Sequence, residues 1–266
     1  MAAYGSSKDP RQAIRYEVVS LAERPELSAR HNALGSAAWP EFMLHDPVPN
    51  QHWDRLMTLF GAQQLTLLSG DEILAVINTV PLRIDSGLKR LPDRGVDWGI
   101  EKSVKDHKAG TSPNCLMGIQ VVVNQVYRGR GLSDVAVDEM LSLTTHLGLG
   151  RLILPLRPND KPRFPLIPMV DYIAWTSDEG LPYDRWLRVH VRRGGEIAGV
   201  CSKSMIIPGT VAEWSSWTQS EYPGSGRYLV SGALSPVAID VGRDLGVYRE
   251  ANVWIVHTIQ EAVRHW

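Results

Sequence analysis

Residues 115–158 read CLMGIQVVVNQVYRGRGLSDVAVDEMLSLTTHLGLGRLILPLRP. The stretch divides into a strand, a basic glycine turn, a helix and a second strand. Residues 119–123 form a short apolar run rich in β-branched side chains, the composition of a buried strand. Tyr127-Arg128-Gly129-Arg130-Gly131 interrupts it. From Leu132 onward Ala136, Met140, Leu143 and Leu147 recur every three or four residues, which places them on one helical face. Gly148 and Gly150 stop that helix, and residues 152–156 are the next strand.

The turn has a definite chemistry. The first N–H groups of a helix lack intrahelical acceptors and carry the positive end of its dipole. Glycines let the backbone approach a ligand closely. Two arginines add fixed charge and a planar fork that matches phosphate oxygens. Together these parts make a pyrophosphate cradle. An ordinary strand-to-helix turn carrying solvent-facing arginines fits the same residues.

Three phosphate-binding patterns can be compared with this turn. A P-loop requires GxxxxGK followed by Ser or Thr, and the chain contains none. A dinucleotide fingerprint requires a third glycine where Asp134 stands, and an acidic residue where Gly150 and Arg151 stand. The third pattern is Gln or Arg, two residues, Gly, one residue, then Gly or Ala. It marks the GCN5-related N-acetyltransferase (GNAT) superfamily. Arg128-Gly129-Arg130-Gly131-Leu132-Ser133 resembles it, with Ser133 in the last place, between a valine-rich strand and a helix–strand pair of the same family context.

That resemblance implies a single α/β domain over 13–266, with a mixed, strongly twisted sheet flanked by helices. The cofactor-binding core would span about 115–158, while the residues from about 186 to 266 read by their own pattern as a β-rich C-terminal extension larger than the family's usual C-terminus. It implies transfer of an acyl group, acetyl foremost, from acyl-coenzyme A to an amine of a small molecule by direct attack in a ternary complex. Backbone amides of Arg128, Gly129, Arg130, Gly131, Leu132 and Ser133 would hold the pyrophosphate. Val121, Val122 and Val123 would lie along the pantetheine arm. Asn159 stands where the family commonly touches coenzyme A, and Tyr172 where a tyrosine commonly faces the thiol. A longer-chain or carrier-protein donor, a hydroxyl acceptor, or a non-catalytic coenzyme A-binding module would use the same cradle.

The remaining composition narrows the class. At 266 residues with 44% hydrophobic and 21% charged side chains, the chain can bury a sizeable core. A net charge of −1 gives no global basic field for nucleic acid. Cys115 and Cys201 make no CxxC pair, no HExxH or other metal-ligand spacing occurs, and GxSxG is absent. No apolar run reaches a membrane span, and the first residues lack an apolar signal core, so a cytoplasmic location is expected. Nine tryptophans against three phenylalanines suit packing, or a pocket for an extended substrate.

Along the chain, residues 1–12 are expected to be disordered and 14–21 a strand. Residues 23–36 and 52–60 are expected to be helical, with a proline-broken segment at 39–49. Residues 64–69 and 72–83 form a hairpin. Residues 84–97 make a polar loop before a short helix at 98–108, and 167–175 supply one or two helical turns. The strict alternation of WLRVHVR at 186–192 predicts a half-buried strand. Residues 197–208, 228–230, 234–240 and 253–256 are further extended segments. His190, on the polar side of the predicted 186–192 strand, is the first candidate for the acid–base group, since histidine titrates near neutrality. Tyr172, Asp171 and Glu196 are alternatives. Exposed strand edges would allow a monomer or a homodimer.

Overall fold

The computed structural model describes residues 3–6, 15–85 and 91–259. Its strands are β1 (Ala3–Ser6), β2 (Arg15–Ser20), β3 (Gln64–Ser69), β4 (Glu72–Leu82), β5 (Cys115–Val123), β6 (Arg151–Leu156), β7 (Glu196–Gly209), β8 (Gly226–Tyr228), β9 (Val237–Asp240) and β10 (Leu245–Thr258). The helices are α1 (Ser28–Ala37), α2 (Pro47–Leu59), α3 (Gly95–Lys108), α4 (Leu132–His146), α5 (Met169–Tyr172), α6 (Arg185–Arg192) and α7 (Val211–Thr218).

All ten strands join one sheet in the order β1-β2-β3-β4-β5-β6-β10-β9-β8, with β7 also paired to β10. Every pairing is antiparallel except β5 with β6. The mixed, helix-flanked sheet is therefore the expected architecture, and the C-terminal strands extend it directly through β10. Side chains of successive strand residues alternate between two cores. Leu152 and Leu154 of β6 and Val253 and Ile255 of β10 pack with Ala136, Val137 and Met140 of α4 and Leu187 of α6. Ile153, Trp254 and Val256 face the other way, toward Leu56 of α2, Val96 and Ile100 of α3, and Trp214 of α7.

Several local expectations are corrected. Ala3–Ser6 is not disordered but pairs with β2, Ala3 opposite Val18; residues 1, 2 and 7–14 lie outside the described set, as do 86–90 of the loop at 84–97. The helix after that loop begins at Gly95 rather than at 98. The segment at 39–49 holds a short 3-10 turn and the start of α2, because Asp46 caps that helix at the Val48 N–H and Pro47 sits at its first position.

The largest correction concerns residues 186–192, which are helical rather than extended. Asp184 decides this. Its Oδ1 accepts from the N–H groups of Trp186 and Leu187 at 2.9 and 3.2 Å. Its Oδ2 accepts from the Tyr172 hydroxyl at 2.9 Å and the Asp160 N–H at 2.8 Å. The helix buries Leu187 and His190, three residues apart, and a period of two had hidden that spacing.

One carboxylate thus satisfies four donors, and Asp184→Ala removes a cap and strands two buried polar groups. The variant is expected to lose about 3 kcal/mol, combining a lost cap with orphaned donors. Urea unfolding checks this, with Asp184→Asn retaining part of the stability.

Candidate active site

The parallel pair β5–β6 is joined only at Cys115–Arg151, Leu116–Leu152 and Met117–Ile153. Beyond that point the strands separate. β5 stays on β4 as far as Val123, and β6 stays on β10 as far as Leu156. The parting coincides with a bulge. Gly118 faces Thr79 and Gln120 faces Asn78, so Ile119 is an extra residue in β5. A bulge bends its strand and increases the twist, and here it turns β5 away from β6. The gap opens into a cavity of about 1020 Å³ lined by residues 118–123 of β5, residues 154–156 of β6, and residues of α2, α3, α4 and α6.

One end of the cavity is the expected anion cradle. Gly129 and Gly131 have φ of 78° and 75°, the left-handed region that disfavours side chains, and a Cβ at either would meet nothing within 4 Å. Gly131 is the N-cap of α4, and no side chain caps that helix. Among the described residues, no backbone hydrogen bond uses the N–H groups of Gly129, Arg130, Gly131, Leu132 or Ser133. Arg128, Gly129, Gly131, Leu132 and Ser133 line the cavity. The Arg130 guanidinium lies over the Tyr127 ring, 5.6 Å from its centroid. Val121, Val122 and Val123 line the same cavity, as does Asn159. The structure thus gathers these expected positions around one space, except Arg130, which does not line it. Free amide donors, left-handed glycines and an unpaired strand edge fit a pyrophosphate and its pantetheine arm.

The other side of the sheet supplies a polar wall that the sequence did not signal. Arg157, directly after β6, donates through Nε to both Glu250 oxygens at 3.1 and 3.0 Å. Its Nη2 donates to the Gly232 carbonyl at 2.5 Å, and its guanidinium lies 5.6 Å from the Trp39 ring centroid. Glu250, fully buried, also accepts from the Tyr248 hydroxyl and Asn252 Nδ2, both at 3.0 Å. Arg157, Glu250, Asn252, Trp39 and Trp53 all line the cavity. Gln120, beside the bulge, donates to the Gly35 carbonyl of α1 at 3.2 Å.

His190 and Tyr172 do not line this cavity. His190 is buried inside α6's packing, its Nδ1 2.9 Å from Nε2 of His257. Burial, with the charges of His257 and Arg193 nearby, holds it well below the usual histidine range. Tyr172 is tied to Asp184 within a cluster of Phe164, Trp175 and Tyr183, and burial raises its hydroxyl above the usual range. Both therefore act in packing, behind the helix that forms the cavity wall. Asp171 and Glu196 are also absent from the lining. Cys115 and Cys201 are buried, and burial pushes each thiol up to about 12, so neither presents a thiolate near neutrality. Among the described residues no group of three or more His, Cys, Asp or Glu could hold a metal, and no helix is long and apolar enough to cross a membrane.

Asp46 and Asp97 form a buried carboxyl pair whose charges act on each other. Burial, reinforced by Asp46, pushes Asp97 to about 8, and burial pushes Asp46 to about 6. The folded pair therefore binds more protons than the unfolded chain, in which carboxyls titrate near about 4. Its contribution to stability is complete below about pH 4 and is lost as the pH rises through the folded values. Asp97→Asn is expected to flatten the fall in melting temperature between pH 6 and 9 and to exceed the parent at pH 9. Thermal unfolding across that range checks this.

No protein-family model matches the chain. The arginine N-acetyltransferase avaD of Aspergillus versicolor is 31% identical over 252 residues, which cover 84% of this chain and 86% of that protein. Among solved structures, the loading GNATL domain of CurA from Lyngbya majuscula superposes with a TM-score of 0.57 at 16% identity, covering 91% of this chain and 97% of that one. The GphF GNAT-like decarboxylase, solved with isobutyryl-CoA, gives 0.53 at 17%, covering 91% and 99%. These two structural likenesses share the split sheet's overall fold, and the curated relative carries the assignment: the chain belongs to the GNAT superfamily of acyl-coenzyme A-dependent N-acyltransferases.

Proposed function

We propose that the protein transfers the acetyl group of acetyl-coenzyme A to the amine of arginine or a closely related guanidino amine. The observation that carries the reading is one continuous cavity, running from the free amides of the glycine turn, through the gap between β5 and β6, to the Arg157–Glu250 wall. Both reactants would fit in it at once, as direct attack requires. The 31% identity to an arginine N-acetyltransferase supports arginine as the acceptor.

The coenzyme supplies the acyl group as an activated thioester. The chain's own residues bind and orient it. Amides of residues 129–133 and the charge of Arg128 and Arg130 hold the pyrophosphate. The open edge of β5 offers strand-like pairing to the pantetheine amides, and Val121 and Val123 give it an apolar bed. A backbone N–H of β5 would polarise the thioester carbonyl. Trp39 and Trp53 exclude water from the acceptor side.

Release of free thiol from acetyl-coenzyme A, followed across a panel of amines, tests the reading. Arginine is expected to give stoichiometric thiol and N-acetylarginine, with aromatic amines well behind. Thiol release that no guanidino amine stimulates would overturn the acceptor assignment.

Gly131→Glu tests the cradle separately. It adds a side chain at a left-handed position and a negative charge beside the pyrophosphate, a repulsion on the order of 1–4 kcal/mol. Coenzyme A affinity is expected to fall about tenfold or more. Undiminished affinity in a folded variant, read by calorimetry, would refute the site.

A further inference from the structure

We propose that Arg157 is the acceptor-specificity residue: its guanidinium receives the α-carboxylate of an amino-acid acceptor, so the enzyme favours arginine over the amine that lacks that carboxylate. The inference rests on the acceptor reading above and goes beyond it by assigning a part of the acceptor to a residue.

Arg157 and Glu250 form the buried ion pair of the acceptor wall, and their hydrogen bonding decides which member reads the substrate. A carboxylate offers about four lone-pair directions. Glu250 spends them on Arg157 Nε, Tyr248 and Asn252, and it is fully buried. It has nothing left for a ligand. A guanidinium offers five N–H groups. In Arg157 the Nε–H goes to Glu250 and one Nη2–H to Gly232, and the Tyr248 hydroxyl also lies against the guanidinium, so three partners meet five N–H groups. The Arg157 side chain keeps 19% of its surface exposed and lines the cavity, so its remaining N–H groups can meet a ligand there.

The guanidinium is also fixed. Glu250 holds its Nε edge, the Gly232 carbonyl holds Nη2, and Trp39 covers one face. A planar donor pre-set in this way loses little entropy when it binds a carboxylate. Its place in the fold is also suitable. Arg157 follows β6 directly, beyond the point where β5 and β6 part, and by alternation along the strand it lies on the same side of the sheet as Ile153 and Trp39. A carboxylate on this guanidinium would leave the neighbouring α-amine near the gap where the thioester would lie. Glu250 then has a positioning role, since it orients Arg157 and does not meet the substrate.

Arginine and agmatine differ only in the α-carboxylate, so they isolate the contact. With saturating acetyl-coenzyme A, the parent enzyme is expected to show a KM for agmatine about tenfold or more above that for arginine, the worth of a charge-assisted hydrogen bond. Arg157→Gln should raise the KM for arginine more than the KM for agmatine, so that the gap between the two substrates closes. Arg157→Lys, which keeps the charge and protects Glu250 from isolation, should retain an intermediate preference. Coenzyme A binding by each variant verifies the fold. Equal KM values for the two substrates in the parent, or an equal rise for both in a folded Arg157→Lys, would overturn the assignment. Acetylation of neither substrate by the parent would overturn the acceptor reading and the inference with it; acetylation of both without a difference would overturn the inference alone.

Discussion

Everything in this protein turns on backbone groups that two neighbouring strands cannot give each other. Main-chain N–H and C=O groups buried without partners are costly, and a parallel pair normally continues its ladder to the ends of both strands. Here the ladder stops at Met117 and Ile153 while β5 runs six residues further and β6 three. The gap persists because each strand is held from its outer side, β5 by β4 and β6 by β10. Strand β10 is 14 residues long and ties β6, β7 and β9 together. The C-terminal extension therefore does more than enlarge the sheet. Without an outer partner of that length, β6 would be free to close onto β5 and fill the gap with its own hydrogen bonds.

The bulge at Ile119 divides the chemistry between the two faces. Before it, Leu116 points toward α4 while Cys115 and Met117 point toward α3. After it the alternation is shifted by one. Val121 and Val123 pack on the α4 side, and Gln120 reaches Gly35 of α1 on the other. A strand without the extra residue would put a polar glutamine against the apolar face of α4 and a valine against α1. One inserted residue thus gives the pantetheine side an apolar bed and the acceptor side a polar lining.

The stretch at 115–158 was legible because its signals are local: a β-branched run, glycines at positions of positive φ, and apolar spacing of three and four. The acceptor wall was not, because Arg157 and Glu250 are 93 residues apart and meet only through the pairing of β6 with β10. Nothing near either residue distinguishes it from a surface charge. The error over residues 186–192 has a different origin. An eight-residue helix with alternating apolar side chains satisfies a period of two as well as it does a helical face. The decisive signal, an aspartate two residues upstream acting as a cap, was present in the sequence at Asp184. With the helix restored, His190 turns inward, and the role suggested by its place on a strand disappears.

The distribution of charge along the cavity links these parts to the reaction. The chain's net charge of −1 hides a local separation. At the glycine turn Arg128 and Arg130 have no carboxylate partner among the described residues, so the helix dipole and two cations act together on an anionic donor. At the acceptor wall Arg157 is offset by Glu250, and in the buried Asp46–Asp97 pair, close enough to Glu250 to feel its charge, one carboxyl keeps its proton at neutral pH, so the pair carries one negative charge rather than two. The smaller charge has a chemical consequence. A strongly acidic wall would attract the ammonium form of an amine but raise its pKa, which opposes the proton loss that precedes attack. Keeping Asp97 protonated at neutral pH limits that penalty while the wall stays polar enough to orient the acceptor.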